Sequence, residues 1–189
     1  MMYPIAPVQT VAPATSPVTV AEAKEHLRVT ADDEDTLIAA MIDAAVSYLD
    51  GWNGILGRCI VTQTWRQDTA DFPDDLRLPF PNAQSVVIAY SDAANADQTY
   101  SGANYQLVNG PGAGRIILGA NKSWPSVYDK PNAVRITMVC GFTTVPPALK
   151  MAILLHVGAL YENRASESPT ALMPFAYEAL LRPFRVVGI

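Results

Sequence analysis

The spacing of apolar residues along the chain changes twice. From Thr19 to about residue 53 they recur every three or four positions, the period of a helix buried along one face. From Gly57 to about residue 143 they alternate, the period of strands, and from Val145 the helical spacing returns. This pattern predicts helices near 19–28, 33–53, 147–164 and 174–182. Thr19 followed by Glu22 forms a capping box for the first. Asp32 or Asp33 is placed to cap the second, and Gly51 or Gly54 to end it. In that second helix Ile38, Ile42, Ala45 and Leu49 make one stripe, and Leu37, Met41, Ala44, Tyr48 and Trp52 an adjoining one. Together they predict a wide buried face, with Leu37, Ile38, Met41, Ile42 and Leu49 sharing a core with Ile153, Leu154, Val157 and Leu160.

In the alternating region, "RCIVTQTWRQ", "SVVIAY", "YQLV", "RIIL" and "VRITMVCG" read as strands. Turn-rich stretches such as "SDAANAD" and "NGPGAG" separate them. In the last strand Val134, Ile136, Met138 and Cys140 fall on one face. The expected fold is therefore α+β: a helical bundle scaffold, 18–56 and 144–189, with an antiparallel β unit, 57–143, inserted between its second and third helices. Residues 1–17 carry four prolines among small residues and read as an extended arm.

The third helix begins in "VPPALKMAILLHVGALYENR", with Pro146 and Pro147 where a missing N–H is harmless. It is apolar on nearly every side before ending in Glu162, Asn163 and Arg164. Such a helix belongs in the middle of a bundle, or between its own domain and another copy.

Composition narrows the classes. Half of the 189 residues are hydrophobic and 16% are charged, which excludes a chain disordered throughout. A net charge of −5 argues against general nucleic-acid binding. The apolar run between Lys150 and Glu162 has eleven residues, short of the roughly 20 that span a bilayer, and the N-terminus has no signal-peptide pattern. Cys59 and Cys140 form no C-x-x-C pair; they read as reduced core thiols or as a disulfide between neighbouring strands.

A search for chemistry returns nothing convergent. "GPGAG" precedes a strand and not a helix, so it reads as a hairpin turn and not a phosphate loop. The run Asp32 to Asp35 lacks the glycine and terminal glutamate of a calcium loop. His156 reads as a hydrogen-bonded core or interface histidine, and His26 as exposed or partly packed. Asp71, Asp74 and Asp75 read as solvated turn carboxylates, although a glycosidase-like pair could be drawn from them. Trp65, Trp124 and the tyrosines are core material in the first instance, a sugar platform in the second. No catalytic, cofactor-binding or metal-ligating residue is assigned, and the chain reads as a non-enzyme.

Several stretches in order resemble the head–tail connector (adaptor) proteins of tailed phages and gene transfer agents, the group labelled gp6-like or phiE125 gp8-like. They are "VTVAEAKEHLRV" with "DDEDTLIAAMIDAAVSYLD", then "GRCIVTQTW", "LRLPFPNAQSV", "SWP", "NAVRITMVCGF" and "VPPALKMAILLHVGALYENR". The resemblance implies a virion protein that assembles as a ring, commonly twelve-fold, beneath the portal protein. It further implies that such a ring prolongs the DNA channel without sequence-specific contact and offers a docking surface to tail-side stopper or tail proteins. On that reading Glu162, Asn163 and Arg164 fix a helix end within the subunit or across the ring seam. Arg182, Phe184 and Arg185 then lie in a C-terminal segment, 182–189, expected to be mobile until it meets the portal. Other classes stay open: a stopper or tail-completion protein, or a carbohydrate-binding or enzymatic module using the β unit.

Overall fold

A computed structural model describes residues 5–110, 112–164 and 175–186. In chain order its elements are β1 (Val8–Val11), α1 (Val20–Leu27), α2 (Asp35–Leu49), β2 (Gln63–Thr69), β3 (Leu76–Arg77), β4 (Ala83–Ser91), β5 (Asp97–Tyr100), β6 (Tyr105–Asn109), β7 (Gly114–Leu118), β8 (Val134–Cys140), α3 (Pro147–Glu162) and α4 (Phe175–Leu181). The protein is thus a mixed helix-and-sheet chain of the α+β class. It divides into two compact units, one of Thr15–Val61 with Phe142–Arg185, the other of Thr62–Gly141 with the N-terminal stretch to Ala14.

The helical unit is built on one apolar cluster. Ile38, Met41, Ile42, Ala45 and Leu49 of α2 bury against Leu149, Ala152, Ile153 and Val157 of α3, and Tyr177 and Leu181 of α4 join them. Leu154 and Leu160 pack on its edge. The expected core holds for these residues but not for Leu37, which is 42% exposed. Tyr48 on the same stripe of α2 is about half exposed as well, as is Trp52 beyond the helix end at Leu49, and Ala44 is exposed. The apolar arc of α2 is wider than the α3 surface it meets, so one flank stays outside.

Local codes act as expected at α1. The Thr19 hydroxyl accepts from the Glu22 N–H, and the Glu22 carboxylate accepts from the Thr19 N–H at 2.7 Å. Lys150 of α3 pairs with the same carboxylate at 2.9 Å. With these donors around it, the Thr19 N–H first, Glu22 is held down to a pKa of about 2. The α1 helix closes on Arg28 in the left-handed region, φ 59°, a conformation that favours glycine. At α2 the expected cap is corrected. Glu34 occupies the N-cap without a side-chain hydrogen bond, because Asp32 is turned to Lys24 at 2.5 Å and Asp35 to the same ammonium at 2.7 Å.

In the β unit a five-stranded antiparallel sheet has the order β1-β2-β8-β4-β5, and a smaller one the order β3-β7-β6. β8 is central: Met138 sits between Trp65 and Val86, and Ile136 between Gln67 and Ile88. Val134, Ile136, Met138 and Cys140 are all fully buried, the face that alternation predicts. β6 and β7, on either side of "GPGA", pair antiparallel with Asn109 opposite Gly114. The Asn109 amide then stands in for a strand, accepting from Ala83 N–H at 3.1 Å and donating to Ala83 C=O at 2.8 Å. Three short strands escape the sequence pattern. Within the stretch read as an arm, Val8–Val11 pairs with β2 at the sheet edge; Leu76–Arg77 and Asp97–Tyr100 are too short for their period to show. Conversely, residues 58–62 are not in a named strand, and β2 begins at Gln63.

Candidate assembly surfaces

The end of α3 is held from several sides. Asn163 caps it, its N–H and its side-chain amide both donating to the Ala159 carbonyl, at 3.1 and 2.8 Å. Arg164 Nη1 reaches Glu34 Oε1 at 2.9 Å, and its guanidinium lies over the Tyr161 ring, 4.4 Å from the centroid. The Tyr161 hydroxyl donates to the other oxygen of Glu34. Asn163 and Arg164 are therefore engaged inside the helical unit, tying the last turn of α3 to the first of α2, while Glu162 is exposed. The sequence marks Arg164 as a cation at a helix C-terminus, but its partner Glu34 lies 130 positions away and carries no local signal.

His156 is 8% exposed and sits in the core of the same unit. Its Nδ1 is 3.0 Å from the Tyr177 hydroxyl, and the Tyr48 and Tyr177 rings meet it edge-on at 5.4 and 5.5 Å. Burial lowers its pKa from the ordinary value and raises that of Tyr177, so both remain neutral at pH 7. This is the hydrogen-bonded core histidine of the sequence reading. His26 is exposed on α1 and lies beside Gly158 of α3, where a Cβ would come within 3.5 Å of its ring.

The C-terminal segment is packed as far as Arg185. Arg182–Phe184 make a 3-10 turn, the Phe184 ring meets Phe142 edge-on at 6.2 Å, and Arg185 pairs with Glu178 at 3.0 Å. Residues 187–189 lie outside the described residues. Arg182 is exposed and, among the described residues, has no acidic partner.

The β unit holds a cleft of about 730 Å³. Ile5, Phe72, Pro73, Leu76, Pro131 and Ile136 make its apolar walls, and Asp71, Asp75 and Asp129 with Arg77 and Lys130 stand around them. Two of the carboxylates are already engaged: Asp75 pairs with Arg77 at 2.6 Å, which keeps it below its ordinary pKa, and Asp71 accepts from the Phe72 N–H at 2.7 Å. A general acid needs the opposite shift. The aromatic residues mostly cover one another. Phe72 stacks on Trp124 at 4.5 Å, Tyr100 packs on Phe72, Tyr105 and Trp124, and Trp65 meets Phe80. Their faces are therefore packing surfaces and not an open platform.

Among the described residues no group of His, Cys, Asp and Glu is arranged to hold a metal ion, and no helix is long and apolar enough to cross a membrane. Cys59 and Cys140 are both buried and not in a disulfide. The fold defines an α+β protein of two compact units. Residues 17–100 match the family model described as Phage gp6-like head-tail connector protein. No curated protein matches the chain. Among solved structures, a chain of "Virion of native gene transfer agent (GTA) particle" is similar with a TM-score of 0.77 at 23% identity, over 98% of this chain and 97% of that one. Chains of "Neck of empty GTA particle computed with C6 symmetry" and "Neck of native GTA particle computed with C12 symmetry" give 0.78 and 0.76 at 22% and 21% identity, with the same coverage of both chains. The chain thus resembles the gp6-like head-tail connector family in sequence over 17–100, and shares its fold along nearly its whole length with chains of gene transfer agent particles.

Proposed function

We propose that this protein is a structural connector subunit of a phage or phage-like particle. It forms a ring between the portal protein and the tail-side proteins and extends the DNA channel. The observation that carries the reading is a conjunction: a connector-family match over 17–100, and a fold shared along nearly the whole chain with chains of neck structures computed with C6 and C12 symmetry. In this reading the helical unit is the ring scaffold, and the β unit, 57–143, is an insertion between its second and third helices. The outward side of α3, where Met151 is 45% exposed, supports a helix shared between its own bundle and a neighbour. Glu162 projects beside it at the helix end. The segment carrying Arg182, Phe184 and Arg185 is the portal-facing candidate. An overall charge of −5 gives passing DNA little to bind, so it slides. The chain performs no catalysis in this role.

The test is electron microscopy of the protein mixed with its portal. A ring capping the tail-side end of the portal is expected. Portals that remain bare at saturating protein would refute the reading, and binding to tail-side proteins alone would reassign the chain to a stopper or tail-completion role.

A further inference from the structure

Among the described residues, two exposed faces of the helical unit have no partner within it. The first is the outer side of α2. Ala40, Ala44 and Ser47 are exposed there at helical spacing, and Leu37 and Tyr48 flank them at 42% and 51% exposure. Small residues in the centre allow a second helix to approach closely, and the larger side chains form a wall beside it. The second is the outer side of α4. Phe175 is 90% exposed, Ala179 follows it four positions on along the same side of the helix, and Arg182 is exposed at the start of the 3-10 turn that comes next. Aromatic residues and arginine are both enriched at protein interfaces.

The charges are complementary. Between residues 20 and 50 the chain carries eight carboxylates and two cations. Asp32 and Asp35 are taken by Lys24, Glu22 by Lys150 and Glu34 by Arg164. Asp43, on the exposed rim of α2, has no partner among the described residues. At the other end Arg185 is held by Glu178, and Arg182 has no acidic partner among the described residues. The chain's own α4 does not fill the α2 face with this surface. Tyr177 and Leu181 turn inward to the core, and Phe175, Ala179 and Arg182 point away from it.

We infer that the occupant is a second copy: α4 of one subunit lies across the α2 face of the next, with Phe175 over the Ala40–Ala44 centre and Arg182 opposite Asp43. The inference rests on the ring reading above and names its seam. The two faces differ, so the contact is heterologous; it repeats head to tail and closes when the rotation per subunit allows. Arg182 then belongs to the seam, and Phe184, Arg185 and the residues after them remain for the portal.

Disulfide trapping tests this directly, because Cys59 and Cys140 are buried and do not compete. Ala44→Cys and Ala179→Cys change exposed positions, and circular dichroism checks that both variants fold. Under mild oxidation a mixture of the two variants yields a linked dimer, and neither variant alone does. Both substitutions in one chain yield a ladder of larger oligomers. Asp43→Arg or Arg182→Asp in this background lowers the linked fraction at least tenfold, and the two together in one chain restore it. Absence of the mixed dimer, a dimer of Ala44→Cys alone, or no recovery in the charge swap overturns the seam. The portal experiment separates this from the broader reading: rings without the cross-link reject the seam and keep the connector, whereas bare portals reject the connector.

Discussion

Replacing Tyr177 by phenylalanine removes one oxygen from the centre of the helical unit. Tyr177 is among the largest fully buried side chains, and its hydroxyl is the partner of His156 Nδ1 at 3.0 Å. The phenyl ring of Tyr177→Phe fits the same space, so no cavity forms. What changes is that a buried imidazole nitrogen loses its partner, which costs about 1–3 kcal/mol. For a chain of this size that lowers the melting temperature by on the order of 5 °C. His156→Phe together with Tyr177→Phe removes both polar groups, so the double variant is less destabilised than the sum of the single changes. Urea unfolding followed by far-ultraviolet circular dichroism measures all four proteins. The pH dependence follows from the same contact. Burial holds the folded pKa of His156 below its ordinary value of 6.5, so the unfolded chain binds the proton first. The stability contribution of neutral His156 is complete above pH 6.5 and is lost as pH falls below it, with a limiting slope of about 1.4 kcal/mol per pH unit. The His156→Phe variant lacks this component. A Tyr177→Phe protein within about 0.5 kcal/mol of wild type would refute the reasoning.

Three further outcomes are expected. Thr19→Ala removes the hydroxyl half of the capping box and costs about 1 kcal/mol in urea unfolding; the Glu22 contribution is complete above its unfolded pKa of 4.5 and disappears as pH falls towards about 2, so the stabilities of wild type and Glu22→Gln differ most above pH 4.5 and converge through that window. Glu34→Gln weakens the partly exposed clamp on Tyr161 and Arg164, with a loss of about 0.5–1 kcal/mol; faster amide exchange in the last turn of α3, with α1 unchanged, is the measurement. Cys59 and Cys140 react with a thiol reagent only after unfolding in guanidinium, and rapid labelling of either in the native protein would contradict their burial.

The elements legible in the sequence are those whose cause lies within a few residues. The Thr19–Glu22 box, the alternation of Val134 to Cys140 and the hairpin at "NGPGAG" are short-range bonding patterns, and each appears where the pattern puts it. The helical character and apolar breadth of α3 are likewise written along the chain, as is Asn163 with Arg164 at its end. Tertiary structure decided the rest, because it depends on which surface meets which. Leu37 and Ile38 are equally apolar neighbours, yet α3 covers only Ile38. Asp32 is as good a cap as Thr19 in isolation, but Lys24 claims it across the α1–α2 turn. Glu34 becomes the anchor of Arg164 only when folding removes the 130 positions between them. β1 exists because β2 offers an edge, since four residues between prolines have too little period of their own to announce a strand. Periodicity records how much of a helix or strand prefers to leave water; the packing partners decide which part of it does.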